Sequence, residues 1–170
     1  MNVIIFGPPG AGKGTQSQNL VKKFKLFQVS TGDLLRSEIK KKSEIGKEIE
    51  EIISRGDFAT DDIVNKLIKN IIFDPQKKNK LIFDGYPRSL NQAKNLDLLL
   101  DSSNQKINFI FFLNVNKDII IKRIERRKIL EKRSDDDSNT ILKRYDAYME
   151  TTKPVLDFYS KNPNFYEIDG

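Results

Sequence analysis

The chain has 170 residues, with 30 lysines and arginines against 24 aspartates and glutamates, for a net charge of +6. That length suits one domain with a substantial core, and the basic balance favours anionic partners. Cysteine and histidine are both absent, which excludes disulfide frameworks, thiolate and imidazole metal sites, Cys nucleophiles and His bases. Any chemistry therefore falls to Lys, Arg, Asp, backbone amides and a bound metal.

Five short runs predict strands: NVIIF at 2–6, LFQVS at 26–30, KLIFD at 80–84, INFIFFL at 107–113 and NFYEI at 164–168. Most are continuously apolar rather than alternating, which predicts burial on both faces. Helical patterns fill the intervals at 12–20, 33–41, 44–54, 61–73, 89–100, 117–130 and 135–161, with Pro154 expected to divide the last. Strands alternating with helices give an α/β fold, a five-stranded parallel sheet flanked by helices. The helical stretch 33–73 is too long for a plain crossover and reads as an insertion that could act as a flap. No run approaches the roughly 20 apolar residues of a membrane span, and the N-terminus lacks a signal-peptide pattern. A cytoplasmic chain with no membrane partner is expected.

The first strand runs into GPPGAGKGT at 7–15, which satisfies G-x-x-x-x-G-K from Gly7 to Lys13. The hydroxyl that usually follows the lysine is displaced by Gly14 to Thr15. In a strand-loop-helix setting these glycines let backbone amides crowd around phosphate oxygens, and the helix N-terminus adds partial positive charge. Gly10, Ala11, Gly12, Lys13, Gly14 and Thr15 are thus the candidate phosphate cradle. Lys13 is the cation for the outer phosphates, and Thr15 a hydroxyl near the metal or the α-phosphate. A turn with a surface lysine is the plainer alternative.

Further motifs follow in order. In STGDLLR at 30–36, Thr31 can cap a helix with Arg36 one turn on. In RGDFAT at 55–60, Thr60 reads as a cap followed by Asp61 and Asp62 in the first turn. In FDGYPRSLNQA at 83–93, Asp84 ends a strand where a carboxylate can hold Mg²⁺ through water. Gly85 permits close approach, Tyr86-Pro87 sets a turn, Arg88 can meet phosphate, and Ser89-x-x-Gln92 matches a capping box. In KRIERRKILEKRSDD at 122–136, Arg123 and Arg127 share a helix face. Arg133 and Arg144, eleven residues apart, align if helix runs back that far. Each basic pair taken singly is an ordinary solvated face; beside a phosphate loop they read as a clamp.

Taken together, GPPGAGKGTQ, STGDLLR and FDGYPRSLNQA closely resemble the nucleoside monophosphate kinases, the adenylate kinases above all, over the whole chain. The resemblance implies a P-loop NTPase core over 1–29, 60–126 and 134–170, a helical NMP-binding insertion over 30–59 and a short lid over 127–133. It implies reversible phosphoryl transfer from MgATP to AMP, giving two ADP and serving adenine-nucleotide homeostasis, with ATP and Mg²⁺ required and no zinc. The cradle, Lys13, Arg123 and Arg127 would attend ATP. Thr31 and Gln92 would touch the AMP adenine, with the capping role competing at Gln92. Asp57, Phe58 and Ala59 would grip base and ribose through the backbone. Gly85, Tyr86 and Pro87, cis in the family, would shape the acceptor site. Arg36 and Arg88 would bind the AMP phosphate, and Arg133 and Arg144 that phosphate or the group in flight. Asp135 and Asp136 resemble lid-hinge acids, while Ser134-x-x-Asp137 also reads as a cap.

Only KILEK separates Arg127 from Arg133, so a short-lid form is implied. Members of the family continue past a segment like EIDG with a helix that contacts the ATP base. A UMP/CMP kinase is the nearest alternative, against which Thr31 and Gln92 argue for adenine. A nucleic-acid-associated NTPase is the more distant one; no aromatic-basic interleaving supports it. A monomer acting on AMP, ATP and ADP, with no nucleic-acid partner, is expected.

Overall fold

Parallel strands with both faces covered put apolar residues at every position rather than every second one, and the first strand shows this. In the computed structural model, described over residues 1–54, 59–131 and 138–170, β1 (Asn2–Phe6) is buried along its whole length. Ile4 and Phe6 enter one core cluster, and Val3 and Ile5 enter the other.

The chain continues through α1 (Lys13–Phe24), β2 (Phe27–Ser30), α2 (Thr31–Lys41), α3 (Glu44–Ser54) and α4 (Asp61–Ile72). Then follow β3 (Leu81–Asp84), α5 (Leu90–Ser102), β4 (Ile107–Asn114), α6 (Lys117–Glu131), α7 (Ser138–Thr151), α8 (Lys153–Tyr159) and β5 (Phe165–Asp169). The sheet order is β2-β3-β1-β4-β5, and each neighbouring pair is parallel. The predicted sheet is therefore the observed one. From β1 the chain crosses to the outer strand β2, comes back to insert β3 beside β1, and then adds β4 and β5 on the other side. That reversal makes the carboxyl end of β1 the switch point where α/β sheets bind ligands.

One core packs α4, α5 and α8 on the sheet, through Val64, Ile68, Ile72, Ala93, Leu96, Leu100, Val155 and Tyr159. The other packs α6 and the loop before α1, through Ala11, Ile120 and Ile124, with Leu20 and Val21 of α1 partly buried against it. Burying one such aliphatic side chain contributes about 1.5–3 kcal/mol. α2 packs on α3, while α4 packs on α5.

The division of the last helix near Pro154 is borne out, and two other expectations need correction. The helix expected over 135–161 is α7 and α8, broken at Thr152, with Pro154 in the first turn of α8, where its missing N–H costs no helical bond. Burial on both faces does not extend to the edge strands: Phe27 of β2 and Tyr166 and Ile168 of β5 are exposed, because each of these strands has a neighbour on one side only. The cap of α2 is Ser30, whose Oγ accepts from Asp33 N at 3.3 Å; Thr31 is already helical. The cap on Asp137 expected from Ser134, and Asp135 and Asp136 with it, lie outside the described residues. Among the described residues, no helix is long and apolar enough to cross a membrane.

Candidate active site

The turn after β1 closes with Ala11 N donating to Pro8 O at 3.1 Å. Gly10 and Gly12 hold φ of +83° and +94°, which side-chain-bearing residues reach only with strain. Gly12 is the N-cap of α1, whose first turn carries no acid. The contrast with α4 is instructive. There Thr60 Oγ1 accepts from Ile63 N at 3.5 Å, and Asp61 and Asp62 occupy the first turn. One helix carries its own side-chain cap and acids; the other has neither a side-chain cap bond nor a first-turn acid, an arrangement that suits an anion. Lys13 Nζ donates to Gly7 O at 2.7 Å and Pro8 O at 3.0 Å, which holds the ammonium over the loop. Gly14 and Thr15 are exposed on the first turn.

Two neighbouring strands end beside this loop. Ser30 pairs with Asp84, and Asp84 with Ile5, so β2, β3 and β1 finish side by side. Gly85 O accepts from Thr31 Oγ1 at 3.0 Å and from Arg88 Nε at 2.8 Å. One carbonyl thus draws together the start of α2 and the turn after β3. The Tyr86-Pro87 peptide is cis. Tyr86 is fully buried, its hydroxyl 3.0 Å from Asn65 Oδ1 and 3.2 Å from Gln92 O. Burial pushes its pKa up to about 12, so it stays protonated and serves as a donor.

Gln92 is buried, and both ends of its amide are held. Oε1 accepts from Arg88 N at 2.8 Å, and Nε2 donates to Asp61 Oδ1 at 2.6 Å. The capping box is half formed. Ser89 Oγ accepts from Gln92 N at 3.1 Å, whereas the Gln92 side chain reaches back to Arg88 N rather than Ser89 N. Thr31, Gly85, Arg88 and Gln92 therefore form one bonded cluster. Ala59 packs, partly buried, against the core. Asp57 and Phe58 lie outside the described residues.

Asp84 Oδ2 accepts from Gln28 Nε2 at 3.0 Å. It also faces the start of α1, since a Cβ on Gly14 would stand 3.7 Å from it. Among the described residues no group of three or more acids could itself hold a metal. That donor set suits Mg²⁺, which keeps several waters and shares one or two carboxylates with substrate phosphates. A lone oriented carboxylate beside a phosphate loop fits this requirement.

Arg123, on α6, donates from Nη1 to Ala11 O at 3.3 Å, and so touches the loop directly. Arg127 follows one turn along α6 and Arg144 lies on α7; their side chains, and Arg133 altogether, lie outside the described residues. Arg36 is exposed, with Nη2 2.5 Å from Asp33 Oδ1. Such an exposed pair is worth under about 1 kcal/mol, so it yields readily to a phosphate. A glycine loop at a helix N-terminus, a lysine held over it and the guanidinium group of Arg123 touching it, with the Asp84 carboxylate beside them, can bind, align and neutralise phosphoryl groups.

Sequence reasoning missed Gln28, and it treated Asp61 only as a first-turn acid. Gln28 had a signal, being the polar residue within the otherwise apolar run at 26–29. Asp61 had none, because its partners Ser89, Asn91 and Gln92 lie 28, 30 and 31 residues away.

The family model described as adenylate kinase matches residues 5–164. A protein of Pelagibacter ubique named adenylate kinase is 48% identical over 196 residues, covering 100% of this chain and 92% of that protein. One of Mycoplasma capricolum is 38% identical over 195 residues, covering 99% and 91%. One of Caulobacter vibrioides is 39% identical over 170 residues, covering 100% and 89%.

Proposed function

The chain belongs to the adenylate kinase family, and from that premise we propose that it catalyses MgATP + AMP ⇌ 2 ADP by positioning and charge neutralisation. A phosphoryl group in flight needs an in-line acceptor and stabilised negative charge, with little covalent help from the protein. No general base is required, because the attacking AMP phosphate is already anionic. This is how a chain without histidine or cysteine performs the reaction.

In this reading the amides of 10–15 and Lys13 hold the donor phosphates, with Arg123 and Arg127 beside them. Arg36 and Arg88 hold the acceptor phosphate, and Arg133 and Arg144 attend the transferring group. Thr31 and Gln92 meet the adenine, within a site shaped by Asp57, Phe58, Ala59, Gly85, Tyr86 and Pro87. Asp84, oriented by Gln28, would hold Mg²⁺ through water, and the metal supplies further charge neutralisation when bound. The observation that carries the proposal is the bonded junction at the strand ends. Thr31 and Arg88 meet at Gly85 O, directly after Asp84 and beside the loop.

We read 30–59 as the AMP-binding insertion, and the packing of α2 on α3 apart from the α4–α5 pair supports that division. We read 127–133 as a short lid, beginning in the last turns of α6. Closure of the insertion would exclude water, which otherwise accepts the phosphoryl group. We further read the enzyme as a cytoplasmic monomer that balances the adenine-nucleotide pool.

The test is ADP formation from MgATP with AMP, UMP or CMP as the acceptor. Turnover with AMP alone is expected. Preferential turnover with a pyrimidine would overturn the roles of Thr31 and Gln92, and ATP hydrolysis indifferent to every acceptor would overturn the transfer reaction.

A further inference from the structure

A glutamine amide is an ambiguous reader of bases. Turned over by 180°, it exchanges donor and acceptor, and so matches either of two opposite base edges. Adenine presents an N6 donor beside an N1 acceptor; hypoxanthine presents an O6 acceptor beside an N1–H donor. A glutamine that turns freely discriminates between them poorly.

Gln92 does not turn freely. On one side stands the Arg88 amide, which only donates; on the other stands the Asp61 carboxylate, which only accepts when ionised. The two demands agree, and they fix Oε1 toward Arg88 N and Nε2 toward Asp61 Oδ1. Reversal would set two donors against each other at Arg88 and two acceptors at Asp61. What remains to a ligand is one Oε1 lone pair and one Nε2 hydrogen, in a fixed order. Asp61 is itself anchored, since its Oδ2 accepts from Ser89 Oγ at 2.8 Å and Asn91 Nδ2 at 3.3 Å.

We propose that Asp61 is a positioning residue that sets the acceptor-base specificity of this enzyme by locking the Gln92 amide in the orientation complementary to a 6-aminopurine. This rests on the reading that Gln92 meets the acceptor base. Asp61 touches neither substrate nor reacting atoms; it acts through Gln92.

The experiment compares kcat/KM for AMP and IMP in the unmodified chain, in Asp61→Asn, in Asp61→Ala and in Asn91→Ala, with thermal unfolding of each. The unmodified chain is expected to favour AMP strongly. Both Asp61 variants should lose at least about tenfold in the AMP/IMP ratio, the share of one charge-assisted hydrogen bond. Asn91→Ala, which removes a different partner of Asp61, should keep the ratio. A purely structural role for Asp61 would lower both substrates by the same factor and leave the ratio intact, which overturns the proposal. An equal loss of ratio in Asn91→Ala also overturns it, by assigning the effect to the helix start. An unmodified chain that does not favour AMP over IMP overturns the base reading of Gln92 itself.

Discussion

A methyl group on Gly10 has two costs, and the structure separates them. At φ +83° any Cβ is strained by about 1–2 kcal/mol. The new Cβ would also stand 2.8 Å from Ile124 Cγ1, 2.9 Å from Ile124 Cδ1 and 3.1 Å from Ile120 Cγ2. Both isoleucines are buried branched side chains on α6, unable to swing aside, so overpacking adds about 1–3 kcal/mol. Gly10→Ala should thus lose roughly 2–5 kcal/mol, a fall in Tm of about 4–20 °C for a domain of this size. Gly12→Ala is the control. Its φ is +94°, but the nearest atom is Arg123 Nη1 at 3.9 Å, so only the backbone cost of about 1–2 kcal/mol applies. The assay is urea unfolding of nucleotide-free protein, because bound nucleotide would itself raise stability. Ile124→Ala closes a double-mutant cycle: opening space at Ile124 should recover about 1–3 kcal/mol of the Gly10→Ala loss. Additivity to within about 0.5 kcal/mol would refute the clash and leave strain as the whole effect.

Three more outcomes are expected. Arg88→Ala, at an exposed position, should lower turnover by two or more orders of magnitude, about 3 kcal/mol or more of transition-state stabilisation, with a nearly unchanged Tm; near-normal ADP formation would remove it from the clamp. Gln28→Leu should raise the Mg²⁺ concentration for half-maximal turnover by about tenfold, as when a ligand loses its orienting partner, and an unchanged Mg²⁺ titration would count against that role. Burial holds the Asp97 carboxyl above its usual range, although it accepts from Tyr159 Oη at 3.0 Å. A raised carboxyl pKa costs stability only once the group ionises, so the cost is absent in strong acid and grows as pH rises through and above the ordinary carboxylate range. Asp97→Asn should therefore gain Tm over the parent chain at pH 7 and lose that advantage near pH 3; an equal difference at both would refute the linkage.

Much of the candidate site was legible along the chain because its local geometry is set by neighbouring residues. GPPGAGKGT carries its own strand, loop and helix start, and Tyr86-Pro87-Arg88 its own turn. Ser89 and Thr60 cap the helices that follow them. The ambiguities arose where neighbours compete over a single residue or where a role depends on distant partners. Ser30 and Thr31 are both competent caps; Ser30 takes the role, and the Thr31 hydroxyl turns to Gly85 across the strand ends. Gln92 matched a capping box, but Arg88 N and Asp61 compete for its amide.

By itself, then, the sequence determined the parallel α/β class, the phosphate loop and the positions of the basic residues, since periodicity, glycine placement and motif spacing act over a few residues. The tertiary structure decided which groups meet. The β2-β3-β1 order sets Ser30 beside Asp84 and lets Gln28 reach that carboxylate. The packing of α4 against α5 brings Asp61 to Gln92. Those contacts join residues tens of positions apart, and only the burial of two apolar faces on one sheet brings them within bonding distance.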